Sequence, residues 1–393
     1  MEHFLESILL SEHDKEAAHA ARLHLNDLLQ SQGGGDRASV SQAEQTVKND
    51  PHKAFEFDAS GSATLHCGPE SWKAGQFETP TISSLEDKLG VPTPNELGSL
   101  KLSVIEGVSP LSDIGWLQAS SPPHALFQVA SQFNCLESPG PYVVPVQDYF
   151  KDATQGPRAA IGAFPATLLR HYSTPDQSAP DQENLRFTQV TNERQVDLLA
   201  TACGANMARN GYLTGRDIKH RESFADTLES NWRALRVGVH DQVQVVLGYN
   251  WDGGPVSPEA PTIGQVFTST VAGGDYHARL NLGDRVFERV ARKLLRAAYL
   301  GTLLASVLLK KDWVVLTLIG GGAFQNPPAL IWDSIVWALE RVAPILRQDM
   351  HVVLNARNLS HSLDFKSTVL PEVQGRAGRV CFLDTEGLQG RLE

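Results

Sequence analysis

A predicted buried strand runs directly into three glycines and then a predicted helix, a pattern that few folds accommodate. Residues Trp313–Ile319 (WVVLTLI) form an apolar run typical of a strand covered on both faces of a parallel sheet. Gly320–Gly322 follow, and Leu330–Leu346 has the length and spacing of a helix. Glycines let the backbone approach a ligand closely, and a helix N-terminus adds positive potential. The segment Gly320–Asn326 is therefore predicted to hold a diphosphate; the alternative is a plain turn that needs small residues.

Strands alternate with helices through the second half of the chain, which predicts an α/β domain with a mostly parallel or mixed sheet. Further strands are predicted at Lys101–Glu106, Ile263–Val271 and His351–Asn355. Residues 1–50, in which Glu2–Ser31 has helical spacing, are predicted to form a helical N-terminal extension. Residues 51–393 are then one domain, with its core at about 101–360.

A second apolar run, Ala125–Phe133, is also predicted to be a buried strand, and polar groups gather where it ends. Gln132, Asn134 and Glu137 lie at this end. In open α/β sheets ligands bind at the carboxyl edge of the strands, so these side chains are candidates for a binding crevice. The alternative is that Gln132 and Asn134 merely cap the strand end.

Other carboxylates and amides also lie at predicted strand ends and loop starts: Asp113, Asp152, Asp275 and Asp284. Any one of them is more often a cap or turn residue than a catalyst. If several of them surround one phosphate site, they could bind the ribose hydroxyls and adenine of a nucleotide. One carboxylate could also activate a water molecule that attacks a glycosidic carbon. Cys135 has no His with an orienting acid in a local pattern, no GxSxG motif is present, and no Cys/His spacing suggests a metal site. No metal is therefore expected.

The net charge and the distribution of apolar residues indicate which kinds of partner the protein binds. The formal net charge of -11 argues against a general nucleic-acid binder, because neutralising phosphates needs a basic surface. The first residues lack the cationic start and apolar core of a signal peptide, and charged residues interrupt the longest apolar stretches. We therefore expect a cytoplasmic protein with neither a membrane nor a nucleic acid as its partner.

Seven segments, taken in order, carry a family resemblance: DIGWL, ALFQVASQFNCLE, YFKDATQGPRAA, NGY, IGQVFTST, RAAYLGTLLAS and VVLTLIGGGAFQN. Together they resemble the large, elaborated macrodomain-like family that includes the MavL-like bacterial effector ADP-ribosylhydrolases, over about Lys101 to Asn355. The resemblance implies a three-layer α/β/α macrodomain-like domain that binds ADP-ribose at the carboxyl edge of its sheet. It also implies hydrolysis of ADP-ribose from a modified protein, at an arginine of ubiquitin in the effector case. ADP-ribose would be ligand or product, and no cofactor would be required.

The resemblance also implies roles by position along one cleft. Asp113 would face adenine, and Asn134 and Glu137 would lie near the distal ribose. The residues that would line the rest of the cleft and hold the diphosphate are Gln132, Asp152, Thr154, Gln155, Gly320, Gly321, Gly322, Ala323, Phe324 and Asn326. Those over the reacting end would be Asp275, Tyr276 and Asp284. The catalytic candidates are accordingly Asp284, Glu137 and Asp275.

Four segments depart from the family pattern, among them an RNY segment, which is Arg170–Tyr172 here, and GGGVFGN, which is GGGAFQN here. An SA-LP-x-x-Y segment is replaced by Ser269–Tyr276, with an insertion, and a carboxylate in the AAYEATL helix motif is replaced by Leu300. If that carboxylate takes part in catalysis, the chain binds ADP-ribose without cleaving it well. Three hypotheses follow: an ADP-ribosyl-protein hydrolase, a non-catalytic reader of ADP-ribose or a related nucleotide, and a scaffold whose N-terminal helix and acidic surface matter more than the cleft.

Overall fold

The computed structural model describes most of the chain from residue 37 onward. The described residues are 37–90, 97–108, 112–123, 125–138, 140, 142–176, 185–191, 193–215, 217–218, 220–248, 261–274, 284–357 and 359–383. The helix predicted at Glu2–Ser31 lies outside them. None of the helices in this part of the chain is long and apolar enough to cross a membrane.

The described strands and helices alternate along the second half of the chain, as predicted. The strands are β1 (Phe55–Phe57), β2 (Ala63–Cys67), β3 (Glu70–Glu78), β4 (Leu100–Glu106), β5 (Leu126–Ala130), β6 (Thr174–Pro175), β7 (Arg186–Phe187), β8 (Gly238–Gln244), β9 (Thr262–Thr268), β10 (Trp313–Thr317), β11 (Met350–Arg357) and β12 (Val380–Phe382). The α-helices are α1 (Arg37–Asn49), α2 (Pro51–Ala54), α3 (Ile82–Leu89), α4 (Ile114–Ala119), α5 (Gln155–Gly162), α6 (Phe164–Tyr172), α7 (Ala200–Cys203), α8 (Arg221–Asn231), α9 (Asp284–Leu308), α10 (Pro328–Val342) and α11 (Leu370–Gly375). Short 3₁₀ or π turns are Val146–Lys151, Trp232–Ala234, Ala343–Ile345, Leu359–His361 and Phe365–Val369.

One mixed sheet organises the domain. Its strand order is β1-β2-β3-β8-β9-β5-β10-β11-β4-β12. The six strands from β9 to β12 in this order run parallel, and the pairings from β1 through β8 to β9 are antiparallel. The prediction of an α/β fold with a mixed, mostly parallel sheet is confirmed.

Helices cover both faces of the sheet, which gives the expected three layers. On one face, Gln128 of β5 donates from Nε2 to Thr302 Oγ1 of α9 at 3.1 Å. On the other face, Gln265 of β9 donates from Nε2 to the Ala159 carbonyl of α5 at 2.9 Å. Helix α10 packs on α9. Helix α5, which follows β5, and α10, which follows β10, therefore lie on opposite faces, and a crevice is expected between two such strands.

Helix α1 belongs to the stretch that was predicted to be an N-terminal extension, and it packs against the domain. Its side chains Val40, Ala43, Glu44 and Val47 are buried. Their spacing of three and four residues forms one helical face, which explains why this otherwise polar segment is helical and docked. The domain boundary at residue 50 stays a prediction.

Candidate functional site

A cavity of about 710 Å³ opens where β5 and β10 separate. The two strands pair only at Leu126 and Phe127 of β5. Beyond that point, the side-chain amide of Gln155 at the start of α5 binds the peptide groups of β5. Its Oε1 accepts from the Ala130 N–H at 2.9 Å, and its Nε2 donates to the Gln128 carbonyl at 3.2 Å. Gln155 thus satisfies backbone groups that a longer β10 would have paired, and it keeps the crevice open.

The lining of the cavity comes from the carboxyl ends of five parallel strands: β4, β5, β9, β10 and β11. The predicted site residues that line it are Gln132, Glu137, Asp152, Thr154, Gln155, Gly320, Gly321, Gly322, Ala323 and Phe324. Residues predicted from three separate segments of the sequence therefore lie around one cavity.

The glycine loop, Gly320–Asn326, forms one wall of this cavity. Gly320 has a φ of +71°, and an added Cβ would lie 2.4 Å from Thr270 Cγ2, so the position requires glycine. Asn326 is buried beneath the loop and does not line the cavity. Its Nδ2 donates to the Val271 carbonyl at 3.0 Å, and its N–H donates to the Gly320 carbonyl at 2.9 Å. The predicted ligand residue Asn326 thus holds the shape of the loop.

The outer part of the glycine loop is open. Gly322 and Ala323 are exposed, and a Cβ added at Gly322 would meet no atom within 4 Å. Helix α10 begins just beyond, at Pro328, with no side-chain cap on its N-terminus. An exposed glycine-rich loop followed by a helix N-terminus favours an anionic group. This geometry is consistent with the predicted diphosphate site.

After β5 the chain turns through residues 131–138, here called the Glu137 turn. The side chains of Gln132 and Asn134 hold this turn. Gln132 accepts from the Ser138 N–H at 3.0 Å through Oε1 and donates to the Ser138 carbonyl at 3.2 Å through Nε2. Asn134 Oδ1 accepts from the Leu136 N–H at 3.1 Å. Both side-chain amides therefore cap the end of the strand, which was the alternative to ligand binding in the sequence analysis. Gln132 also lines the cavity, whereas Asn134 does not.

Glu137 is held by its backbone and is only 2% exposed. Its N–H donates to Tyr149 Oη at 2.7 Å, and Arg170 Nε donates to the Cys135 carbonyl at 3.1 Å. Burial, the largest cause, raises the pKa of the Glu137 carboxyl well above its ordinary value; Arg170 opposes that shift, and Asp152 adds to it. Burial therefore favours the protonated form of this carboxyl group, and a protonated carboxyl group can act as a proton donor.

Helix α5 can approach the Glu137 carboxyl group closely because residue 156 is a glycine. An added Cβ would lie 2.1 Å from the Ala130 carbonyl oxygen and 2.5 Å from Glu137 Oε2. Only a residue without a side chain leaves room for both neighbours. Asp152 and Thr154, just before α5, line the cavity, and Asp152 Oδ1 accepts from the Thr154 N–H at 2.9 Å.

The remaining predicted site residues are Asp113, Asp275, Tyr276 and Asp284. Asp113 caps α4, where its Oδ1 accepts from the Gly115 N–H at 3.0 Å, and it forms an ion pair with Arg158. It does not line the cavity. Asp284 is the first residue of α9, but its side chain lies outside the described part of the structure. Asp275 and Tyr276 also lie outside the described residues, so their predicted roles stay predictions.

Several lining residues were missed by the sequence analysis. Ser269 and Thr270 follow β9, and Asn355 and Arg357 lie at the end of β11. Among the described residues that line the cavity, Arg357 supplies the one positive charge. The same rule that selected Glu137, a polar group at the carboxyl end of a predicted strand, would have selected Asn355, because the strand predicted at His351–Asn355 ends there.

Two further expectations concern catalysis and metals. Leu300, the position at which the family pattern has a carboxylate, is 1% exposed in the core and does not line the cavity. Its neighbour Tyr299 is also buried, and it contacts two residues that line the cavity: Tyr299 Oη donates to the Thr317 carbonyl and accepts from the Ile319 N–H. Within the described residues, no group of three or more His, Cys, Asp or Glu side chains is placed to hold a metal ion.

No known protein family matches the chain, and no curated protein matches it. Its structure is similar to solved structures of poly(ADP-ribose) glycohydrolase. For the enzyme from Thermomonospora curvata, the TM-score is 0.41 at 13% identity, over 81% of this chain and 92% of that chain. For the Deinococcus radiodurans enzyme in complex with ADP-ribose, it is 0.41 at 12% identity, over 76% and 93%. Values this low assign neither a family nor an activity.

Proposed function

We propose that this protein binds ADP-ribose in the cavity between β5 and β10 and hydrolyses the bond that joins it to a modified protein side chain. The observation that carries the proposal is that one cavity is lined both by an open glycine loop and by a buried carboxyl group with a raised pKa. The loop suits the diphosphate, and Glu137 suits proton transfer to the nitrogen or oxygen that leaves the glycosidic carbon.

The diphosphate end rests on three groups. The exposed backbone at Gly322 and Ala323 can donate N–H groups to phosphate oxygens, and the N-terminus of α10 adds positive potential. Arg357 adds a full positive charge from the end of β11. In a chain with a net charge of -11, such a local site is what allows an anionic nucleotide to bind.

The reacting end rests on two carboxyl groups. Protonated Glu137 would give its proton to the leaving nitrogen or oxygen as the bond to the ribose carbon breaks. Asp152, at the edge of the same cavity, would stabilise the positive charge on the ribose and take a proton from the attacking water. The products are ADP-ribose and the unmodified side chain. Asp275 and Asp284 remain alternative candidates for the second role. The proposal requires neither a metal nor a cofactor.

The finer identity of the substrate rests on the sequence resemblance alone. We propose an ADP-ribosylated arginine, with cytoplasmic ubiquitin as the target protein. The geometry of the cavity supports binding of the ADP-ribose part of this substrate. It does not distinguish between target proteins.

The second candidate function is a reader that binds ADP-ribose without cleaving it. It is favoured by the near-complete burial of Glu137, because a catalytic acid must touch the leaving group. The two functions are separated by following the release of ADP-ribose from an arginine-modified protein. We expect release by the parent and loss of release in Glu137→Gln and Asp152→Asn, while Glu340→Gln, at an exposed position on α10, is the matched control. Binding without release in the parent would favour the reader.

A further inference from the structure

We propose that Glu44, on α1, is a positioning residue for Glu137 and acts through the 3₁₀ helix Val146–Lys151 and Tyr149. This inference rests on the proposed function, in which Glu137 is the proton donor. It assigns a task in the candidate site to a helix that the sequence places in an N-terminal extension.

Glu44 is a buried carboxylate, 1% exposed, with a complete set of donors. Its Oε1 accepts from the Val146 N–H at 2.9 Å, and its Oε2 accepts from the Gln147 N–H at 3.0 Å. Tyr172 Oη donates to Oε1 at 2.6 Å, and Lys48 Nζ lies 3.3 Å from the same oxygen. Burying a carboxylate is costly unless it is hydrogen-bonded and paired, so these contacts fix Glu44 in one place.

The two backbone donors are the first two N–H groups of the 3₁₀ helix Val146–Lys151. The N-terminal groups of a helix have no partner within the helix and need one from outside. The residue at the cap position, Pro145, makes no side-chain hydrogen bond to them. Glu44 therefore caps this helix from a different element, and its negative charge also suits a helix N-terminus.

Tyr149 lies on the helix that Glu44 caps, and it contacts the Glu137 turn directly. Its Oη accepts the Glu137 N–H at 2.7 Å and shares a hydrogen bond with His171 Nε2 at 2.8 Å. His171 precedes Tyr172 on α6, and Tyr172 donates to Glu44. Helix α6 therefore links Tyr149 to Glu44 by a second route. A shift of the capped helix would move Tyr149 and release the peptide group that holds Glu137.

The test uses Glu44→Gln, Tyr149→Phe and the double variant in the full chain. Ser41→Ala is the matched control, because Ser41 joins the same two elements through an exposed hydrogen bond to Gln147. Amide hydrogen exchange of residues 131–138 is measured together with the kinetics of ADP-ribose release. In Glu44→Gln we expect about tenfold faster exchange of the turn and about tenfold lower kcat, with KM within about threefold. The control is expected to match the parent.

The double variant distinguishes positioning from a general loss of structure. If Glu44 acts through Tyr149, adding Glu44→Gln to Tyr149→Phe lowers kcat no further, whereas independent effects would multiply and would overturn the inference. Unchanged exchange of the turn in Glu44→Gln would also overturn it, whatever the activity. A parent that releases no ADP-ribose would count against the proposed function alone, because exchange still reports on the turn. If Glu44→Gln does not fold, Tyr172→Phe removes a single donor to Glu44 and must loosen the same turn.

Discussion

Replacing Gly156 by alanine tests whether α5 is pressed against the end of β5 as closely as the cavity requires. Gly156 does not have the positive φ that favours glycine, so the cost comes from contact alone. The new Cβ would lie 2.1 Å from the Ala130 carbonyl oxygen, a backbone atom that cannot move without disturbing β5. The start of α5 must then move outward by about 1 Å to restore ordinary contact.

That displacement would lengthen both hydrogen bonds from Gln155 to β5, now 2.9 and 3.2 Å. Overpacking lowers the free energy of unfolding by about 1–3 kcal/mol, and weakening two neutral hydrogen bonds lowers it by about 2 kcal/mol more. The higher helix propensity of alanine raises it by about 1 kcal/mol. We therefore expect the free energy of unfolding to fall by about 2–4 kcal/mol in Gly156→Ala.

The assay is urea unfolding followed by circular dichroism and tryptophan fluorescence. Gly375→Ala, at the end of α11, is the matched control, because its added Cβ would meet no atom within 4 Å. We expect it to unfold like the parent or at slightly higher urea. A Gly156→Ala variant within about 0.5 kcal/mol of the parent would refute the close approach of α5 to β5.

Three further predictions concern the cavity. Asn326→Ala should lower the free energy of unfolding by about 1–3 kcal/mol in urea, because its Nδ2 no longer satisfies the Val271 carbonyl. Arg357→Gln should weaken ADP-ribose binding by about tenfold or more in calorimetry, and the loss should shrink at high salt. The parent should lose stability relative to Glu137→Gln as the pH rises above the ordinary carboxyl pKa of 4.5, measured by urea unfolding at each pH, because the native carboxyl group resists ionisation.

The sign of the pH effect follows from the raised pKa of Glu137. Above the ordinary value of 4.5 the unfolded chain releases the proton, whereas the native chain retains it, so stability falls as pH rises until the native carboxyl ionises. The slope from this one group is at most about 1.4 kcal/mol per pH unit. Parallel pH profiles of the parent and Glu137→Gln would contradict the raised pKa.

Each of the other two predictions has its own check. An Asn326→Ala variant with parental stability would show that the loop holds its shape without the buried amide. For Arg357→Gln, the control is Lys53→Gln, which changes the net charge equally outside the cavity. Equal losses of affinity in both variants would indicate a general charge effect in place of a contact from Arg357.

Local sequence patterns were enough to predict the strands that form the site. The apolar runs before Gln132 and before the glycine loop are β5 and β10, because a strand covered on both faces must be apolar throughout. The glycines after the second run were predicted either to hold a diphosphate or to form a turn that needs small residues, and the positive φ of Gly320 shows that the turn requires glycine there. That both segments line one cavity follows from the rule that parallel strands end at one edge.

The partners of individual side chains could not be predicted in this way. Gln155 was expected to contact ligand, but its two hydrogen bonds go to β5, 25 and 27 residues away. Asp113 was assigned to adenine, yet it caps α4 and pairs with Arg158. Glu44 makes its contacts 102 and 103 residues along the chain. Such contacts depend on how distant elements pack, and no local pattern encodes them.

If the open backbone of the glycine loop binds the diphosphate of ADP-ribose, as we propose, Gly322→Ala should prevent that binding without affecting the fold. A Cβ at this position meets no atom in the free protein, so the free energy of unfolding should stay within about 0.5 kcal/mol of the parent. A diphosphate bound against the backbone would collide with it. Calorimetry with ADP-ribose should therefore show binding to the parent and at least about tenfold weaker binding to Gly322→Ala. No measurable binding to the parent, or equal affinity in both proteins, would contradict the claim.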